Sequence, residues 1–178
     1  MIRKFVNTKN VNSCDFVIVG MGANLASDVG SPLQTLTAAL AAMPAAGINI
    51  IRRSPWYRSQ PLPVSDQDWF VNGVAIVETA LTAPALLAAL HGIEARFGRR
   101  RSVANAARVV DLDLLAYQGL QVRDDPALCL PHPRLHERAF VLLPLADIAP
   151  EWCHPVSGLS IAAMCAALPG GQIVERMP

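Results

Sequence analysis

Lysine is almost missing from this chain: Lys4 and Lys9 are the only two, and every later basic residue is arginine. Arginine's planar fork suits bidentate contact with phosphates and carboxylates, although a codon preference for arginine produces the same bias. Aromatic residues are scarce as well, at 6% with two tyrosines, and the formal net charge is +1. An RNA-binding module needs exposed aromatics beside a basic surface, so both shortages count against one. The four cysteines (Cys14, Cys129, Cys153, Cys165) form no CxxC pair. That pattern fits reduced thiols in a cytoplasmic protein rather than a disulfide framework. Cys153 and His154 are adjacent but lack a second ligand pair, so a structural role is expected for them. No apolar run approaches the ~18 residues of a membrane span. The basic opening followed by "FVIVGMGANLAS" loosely imitates a signal peptide, but its apolar part starts only after Asp15 and fits a buried strand. The phosphate-loop pattern GxxxxGKS/T is absent, and "GMGANL" places Leu25 where a dinucleotide fingerprint needs its third glycine.

What is present is enough apolar material for one core: 178 residues, 52% hydrophobic. Residues 1–14 are polar and aperiodic, which predicts a flexible N-terminal extension to a single domain over 15–178. "FVIVGM" predicts a first strand. "LQTLTAALAAM" predicts a helix, with Ser31 as N-cap and Pro32 in its first turn. "INIIRRS" and "WFVNGVAIVET" predict strands flanking a long Pro/Ser/Asp-rich loop, and loops of that length are commonly functional. "APALLAALHGIEARFG" predicts a helix ending at Gly98. The basic loop "RRRSVANAA" and a strand starting near Arg108 follow. A short "LQVR" strand, a partly helical "HERAFVLLPLADI" bent at Pro144, a last helix "LSIAAMCAAL" and a tail complete the chain. The order βαββαβ plus C-terminal helices predicts an α/β (α+β), ferredoxin-like fold.

"RVVDLDLLAYQG", Arg108 to Gly119, puts two aspartates inside an apolar run. On a strand, Val110, Leu112, Leu114 and Ala116 share one face, and Asp111 and Asp113 share the other. On a helix the two carboxylates would diverge by about 200°. Two like charges held side by side are unfavourable unless a cation lies between them, and hard ions such as Mg²⁺ take one or two carboxylates plus phosphate oxygens. A solvated strand face carrying two unrelated acids gives the same pattern, and DxD alone is weak. Its neighbours strengthen it: Arg108 stands three residues before Asp111, and Arg99, Arg100 and Arg101 lie just upstream. Metal-holding carboxylates beside phosphate-holding arginines are what phosphoryl transfer requires.

Several short motifs then occur in a distinctive order: "GANL", "YRSQPL", "FVNGV", "IEARFGRRR", "RVVDLDLL", "PHPRLHERAFVLLPL" and "IAPEW". Together, over about Val17 to Ala167, they resemble the 6-hydroxymethyl-7,8-dihydropterin pyrophosphokinase family of folate biosynthesis. The resemblance implies a ferredoxin-like fold and transfer of the β,γ-pyrophosphoryl group of ATP to the pterin's hydroxymethyl oxygen, with release of AMP. It implies two Mg²⁺ ions on Asp111 and Asp113, with Arg99 and Arg108 completing the catalytic set. Glu94, Arg99, Arg101, Arg108, His132 and Arg138 match ATP-site positions. Asn72 matches the residue that hydrogen-bonds the pterin edge, Phe70 and Phe140 those that sandwich the ring, and Ser59, Pro61 and Leu62 those that border the pocket. Taken without the resemblance, Phe70 and Phe140 would be ordinary core residues and His132 a structural one. The segment "NAAR" before Arg108 lacks the aromatic and proline usual in the family. ATP and the reduced pterin are the implied partners, other folate-pathway enzymes are candidate partners, and neither nucleic acid nor membrane is expected. The alternative is a catalytically silent relative that binds another folate enzyme, against which Asp111, Asp113, Arg108 and Asn72 speak.

Overall fold

In the computed structural model, the described residues are 15–99, 106–125 and 127–178. The expectations for residues 1–14, for Arg100 and Arg101 and for residues 102–105 lie outside them. A sheet of six strands forms the centre: β1 (Val17–Ala23), β2 (Ile48–Arg53), β3 (Tyr57–Ser59), β4 (Phe70–Thr79), β5 (Asp111–Tyr117) and β6 (Val174–Arg176). Helices α1 (Pro32–Ala42) and α2 (Ala83–Arg96) follow β1 and β4, and α3 (Ala139–Ile148) and α4 (Ile161–Ala166) come after β5. The spatial order is β5-β1-β4-β3-β6, with β2 also pairing β4, all antiparallel. This is the expected ferredoxin-like arrangement with additions.

Two strands differ from expectation. The loop after β2 contains β3, and the tail contains β6, which pairs with β3. Neither carries a long alternating pattern, because each is three residues long. β2 and β3 lie in succession along one edge of β4. Buried Ser54 bridges the gap, donating its amide to Val74 O at 2.9 Å and accepting from Val74 N through its hydroxyl at 3.0 Å. The expected "LQVR" strand is reduced to a single bridge between Val122 and Leu130.

Helices α1 and α4 start where a serine, Ser31 or Ser160, supplies a partner for an open backbone amide. Ser31 caps α1, accepting from Gln34 N, while Gln34 Oε1 accepts from Ser31 N at 2.8 Å. Gly98, at φ +81°, lies just beyond α2, in a conformation that favours glycine.

The sheet buries both faces. Val17, Val19 and Met21 of β1 pack with Leu36 and Leu40 of α1 and Leu86 and Leu90 of α2. Ile18 of β1 and Val74 and Ile76 of β4 pack with Leu142 and Leu145 of α3, Met164 of α4 and fully buried Trp152. The alternation expected along β5 holds only in part. Leu112 and Leu114 face α1 and α2, but Ala116 packs on the opposite side beside Leu115. The cause is a register shift between Ile18 and Val19: Ile18 pairs with Ala116, and Val19 with Leu114. One extra residue in β5 reverses the facing of everything after it. The shift begins after both aspartates, so they keep a common face, directed toward α3.

Candidate active site

The strand at the centre of the site has almost no side chains on that face. Gly22 of β1 lies between Asp111 of β5 and Asn72 of β4, and Gly20 lies between Asp113 and Val74. A Cβ on Gly22 would stand 3.2 Å from Asn72 Oδ1. The two glycines that failed as a dinucleotide motif therefore leave a bare backbone floor between an amide and two carboxylates.

Over this floor opens a cleft walled by the loop after β3 and the first turn of α3. Ser59, Pro61, Leu62, Phe70, Asn72 and Phe140, the residues expected around a pterin, all line it, together with Arg108, Asp111, Asp113 and Arg138. Asn72 is 4% exposed and donates through Nδ2 to Ser59 Oγ at 2.9 Å. Its Oδ1 stands beside Gly22. The Arg138 guanidinium stands 5.4 Å from the Phe140 ring centroid, so the cation and the aromatic wall form one unit.

A second cavity lies behind β5. Glu94, Arg99, Asp113 and His132 line it, with Leu87, His91, Leu114 and Cys129. Asp113 borders both cavities. The residues matched to an ATP site are thus divided: Glu94, Arg99 and His132 on the second cavity, Arg108 and Arg138 in the first. Arg101 is outside the described residues.

The charges are paired around the two aspartates. Asp111 pairs with Arg99 through one oxygen and with Arg108 through the other, and Arg99 also pairs with Glu94. Arg138 approaches Asp113 at 3.7 Å. Glu94 is 2% exposed, and its Oε1 accepts from Leu112 N at 2.7 Å. It holds the strand at the residue between the two aspartates. Burial and the neighbouring charge of Asp111 push the Asp113 carboxyl up to about 6, outweighing the pull of Arg138, Arg99 and Arg108. Burial, with Arg138 and Arg134 nearby, pushes His132 down to about 4, so its ring is neutral at physiological pH. Its Nδ1 accepts from Arg134 N at 3.2 Å, which leaves the proton on Nε2 as a donor.

Asn24, within "GANL", had no role from sequence. It is 2% exposed; its Oδ1 accepts from Arg108 N at 2.8 Å and its own amide donates to Arg108 O at 3.0 Å. Its Nδ2 donates to Asp68 O at 3.1 Å. One amide therefore joins the arginine before β5 to the loop before β4. A lone amide side chain in the turn directly after an apolar strand was the available signal.

Residues 18–150 match the family described as 7,8-dihydro-6-hydroxymethylpterin-pyrophosphokinase (HPPK). A 2-amino-4-hydroxy-6-hydroxymethyldihydropteridine pyrophosphokinase of Methylorubrum extorquens is 45% identical over 133 residues, covering 75% of this chain and 82% of its own. The protein of the same name from Pseudomonas aeruginosa is 41% identical over 163 residues, covering 91% and 96%. Among solved structures, wild-type Plasmodium falciparum HPPK-DHPS with SDX-DHP aligns at a TM-score of 0.61 and 15% identity, which bears on the fold alone. That alignment covers 85% of this chain and 43% of the HPPK-DHPS chain, so this chain spans less than half of that protein. The chain belongs to the 7,8-dihydro-6-hydroxymethylpterin-pyrophosphokinase family.

Proposed function

We infer that this protein transfers the β,γ-pyrophosphoryl group of ATP to the hydroxymethyl oxygen of 6-hydroxymethyl-7,8-dihydropterin, forming AMP and the pterin diphosphate in folate synthesis. The observation that carries this reading is the position of Asp113, on the boundary between a cleft lined by aromatic and amide groups and a cavity lined by Arg99 and His132. A reaction joining a flat heterocycle to a triphosphate needs its charge-neutralising groups at such a boundary.

In this reading the pterin lies over Gly22, between Phe70 and Phe140, with its edge on Asn72. Asn72 can present both a donor and an acceptor to the heterocycle. Ser59, Pro61 and Leu62 close the side of the pocket. The nucleotide enters from the second cavity, where neutral His132 offers Nε2–H. Arg99, Arg101, Arg108 and Arg138 hold the phosphates, and Glu94 supports Arg99. The hydroxymethyl oxygen bonds to the β-phosphorus, and the bond from that phosphorus to the α,β-bridging oxygen breaks. AMP leaves with that oxygen, and the hydroxyl proton is released. Asp111 and Asp113 fit the family's Mg²⁺ requirement: they are hard oxygen donors on one strand face, and burial, with the charge of Asp111, raises Asp113. Two ions on this pair would supply phosphate neutralisation and acidify the attacking hydroxyl. Meanwhile Arg99 and Arg108 must turn from Asp111 to the phosphates, exchanging one anionic partner for another.

A cytoplasmic location fits these small-molecule substrates; among the described residues no helix is long and apolar enough to cross a membrane. Other enzymes of folate synthesis are the candidate protein partners. The deciding experiment incubates the protein with MgATP and the reduced pterin and identifies the nucleotide product. AMP formed only when pterin is present supports the reading. ADP would mean ordinary kinase chemistry, and no pterin-dependent turnover would refute the enzyme and favour the silent binding relative.

A further inference from the structure

The first turn of α3 carries Arg138 and Phe140, yet it has no cap of its own. Arg138 is the N-cap residue, at φ −113° and ψ 109°, and its side chain makes no capping bond. The cap comes from the tail. Gln172 Oε1 accepts from Ala139 N at 2.9 Å, and Gln172 Nε2 donates to Glu137 O at 2.8 Å. One side-chain amide thereby grips the peptide groups on both sides of Arg138.

Gln172 is itself fixed. It follows Gly171, whose φ of +84° makes the turn into β6. Two residues later Val174 pairs with Ser59 of β3, and between them Ile173 O accepts from Gln60 N at 3.1 Å. The tail thus ties the pocket wall at Ser59 and Gln60 to the wall at Arg138 and Phe140, from behind the cleft. The family match ends at residue 150, so Gln172 and β6 lie outside it.

We propose that Gln172 is a positioning residue for the transfer reaction, setting the direction in which Arg138 enters the cleft. The proposal rests on the functional reading above, in which Arg138 holds phosphate and Phe140 covers the pterin. A guanidinium at the end of a long side chain magnifies any rotation of its own backbone, and misplacement by about 1 Å can cost on the order of 100-fold in rate.

The test is a double-mutant cycle using Gln172→Met, which keeps length and apolar packing and removes both hydrogen bonds. Steady-state kcat and KM are measured for Q172M, R138M and the double variant, with thermal unfolding as a check that each folds. Amide exchange at Ala139 gives a reading independent of activity. Q172M is expected to unfold within a few degrees of the parent, to expose the Ala139 amide to faster exchange, and to lose about tenfold in kcat/KM for the pterin. In the R138M background the same change should cost about twofold or less, because the group it positions is gone. Equal losses in both backgrounds would overturn the proposal, as would unchanged exchange at Ala139. If the wild-type protein forms no AMP, the functional reading fails. If it forms AMP and Q172M keeps wild-type kcat and KM despite faster exchange, the positioning role alone fails.

Discussion

Asp111 and Asp113 share a strand face, yet their removal should shift stability in opposite directions. Ionised Asp113 is a burden on the ligand-free fold. Its carboxyl is raised from 3.8 to about 6, so the folded state binds a proton more tightly than the unfolded chain does. The folding advantage of that proton is complete below pH 3.8 and is lost as pH rises through about 6. For a fully buried group, a shift of that size corresponds to about 3 kcal/mol against folding at neutral pH. The Asp113 side chain keeps 38% of its surface open to the cleft, and screening there reduces the figure to about 1.5 kcal/mol. Asp113→Asn removes the charge with little change in shape. In buffer free of metal and nucleotide, its urea midpoint at pH 7.5 should rise by about 0.7 M, taking a slope of about 2 kcal/mol per M. By pH 4.5 the advantage should shrink to roughly a third. The difference between the two proteins is what must be followed. His132, held down at about 4, acts in the other sense: its folded state loses stability as pH falls from 6.5 toward 4, which masks Asp113 in the wild-type curve. Asp111→Asn should instead destabilise by about 1–3 kcal/mol, because two mostly buried guanidiniums lose their common carboxylate. Both variants should lack pyrophosphoryl transfer. A D113N protein no more stable than wild type at pH 7.5, or an advantage that does not diminish toward pH 4.5, would refute the reasoning.

The other predictions concern the floor, the tie at Asn24 and the imidazole. Gly22→Ala should raise the pterin KM at least tenfold, since its Cβ would press on Asn72 Oδ1 from 3.2 Å, while binding of an ATP analogue by calorimetry stays near normal; equal loss of both ligands would contradict the placement. Asn24→Ala should destabilise by about 1–3 kcal/mol and lower kcat/KM, because Arg108 N loses its acceptor; thermal unfolding and kinetics of the purified variant check both. The His132 ring should remain neutral from pH 8 to 5 in an NMR titration, given its pKa of about 4; a midpoint above pH 5.5 would contradict its burial between Arg134 and Arg138.

The parts of the site legible in sequence were those whose chemistry and spacing lie within one element. Asp111 and Asp113 were readable because a period of two fixes their common face whatever the rest of the chain does. Asn72 and Phe70 were readable for the same reason, once the family motif singled them out. What escaped depends on pairing between distant segments. β3 and β6 are too short to show alternation, and each is defined by pairing with distant segments, β3 with β4 and β6 with β3. The bulge at Leu115 could not be seen either, because β5 alone does not say which residue pairs with Ile18. Ala116 was therefore assigned to the wrong face.

The same distinction explains the glycines of β1. Read along the chain, "GMG" is an incomplete nucleotide fingerprint; read across the sheet, each glycine has an acid on one side and β4 on the other. A side chain at Gly22 would press on Asn72 and one at Gly20 on Leu115, both lining the cleft, and the cost of keeping glycine there is a weaker strand. β1 can tolerate two glycines because it is central, paired along both edges, and anchored by Val17, Val19 and Met21 on its other face. The packing that stabilises this strand and the cleft that it floors thus lie on opposite sides of one backbone. Substitutions at Val19 should therefore appear first as lost stability, and substitutions at Gly22 first as lost pterin affinity.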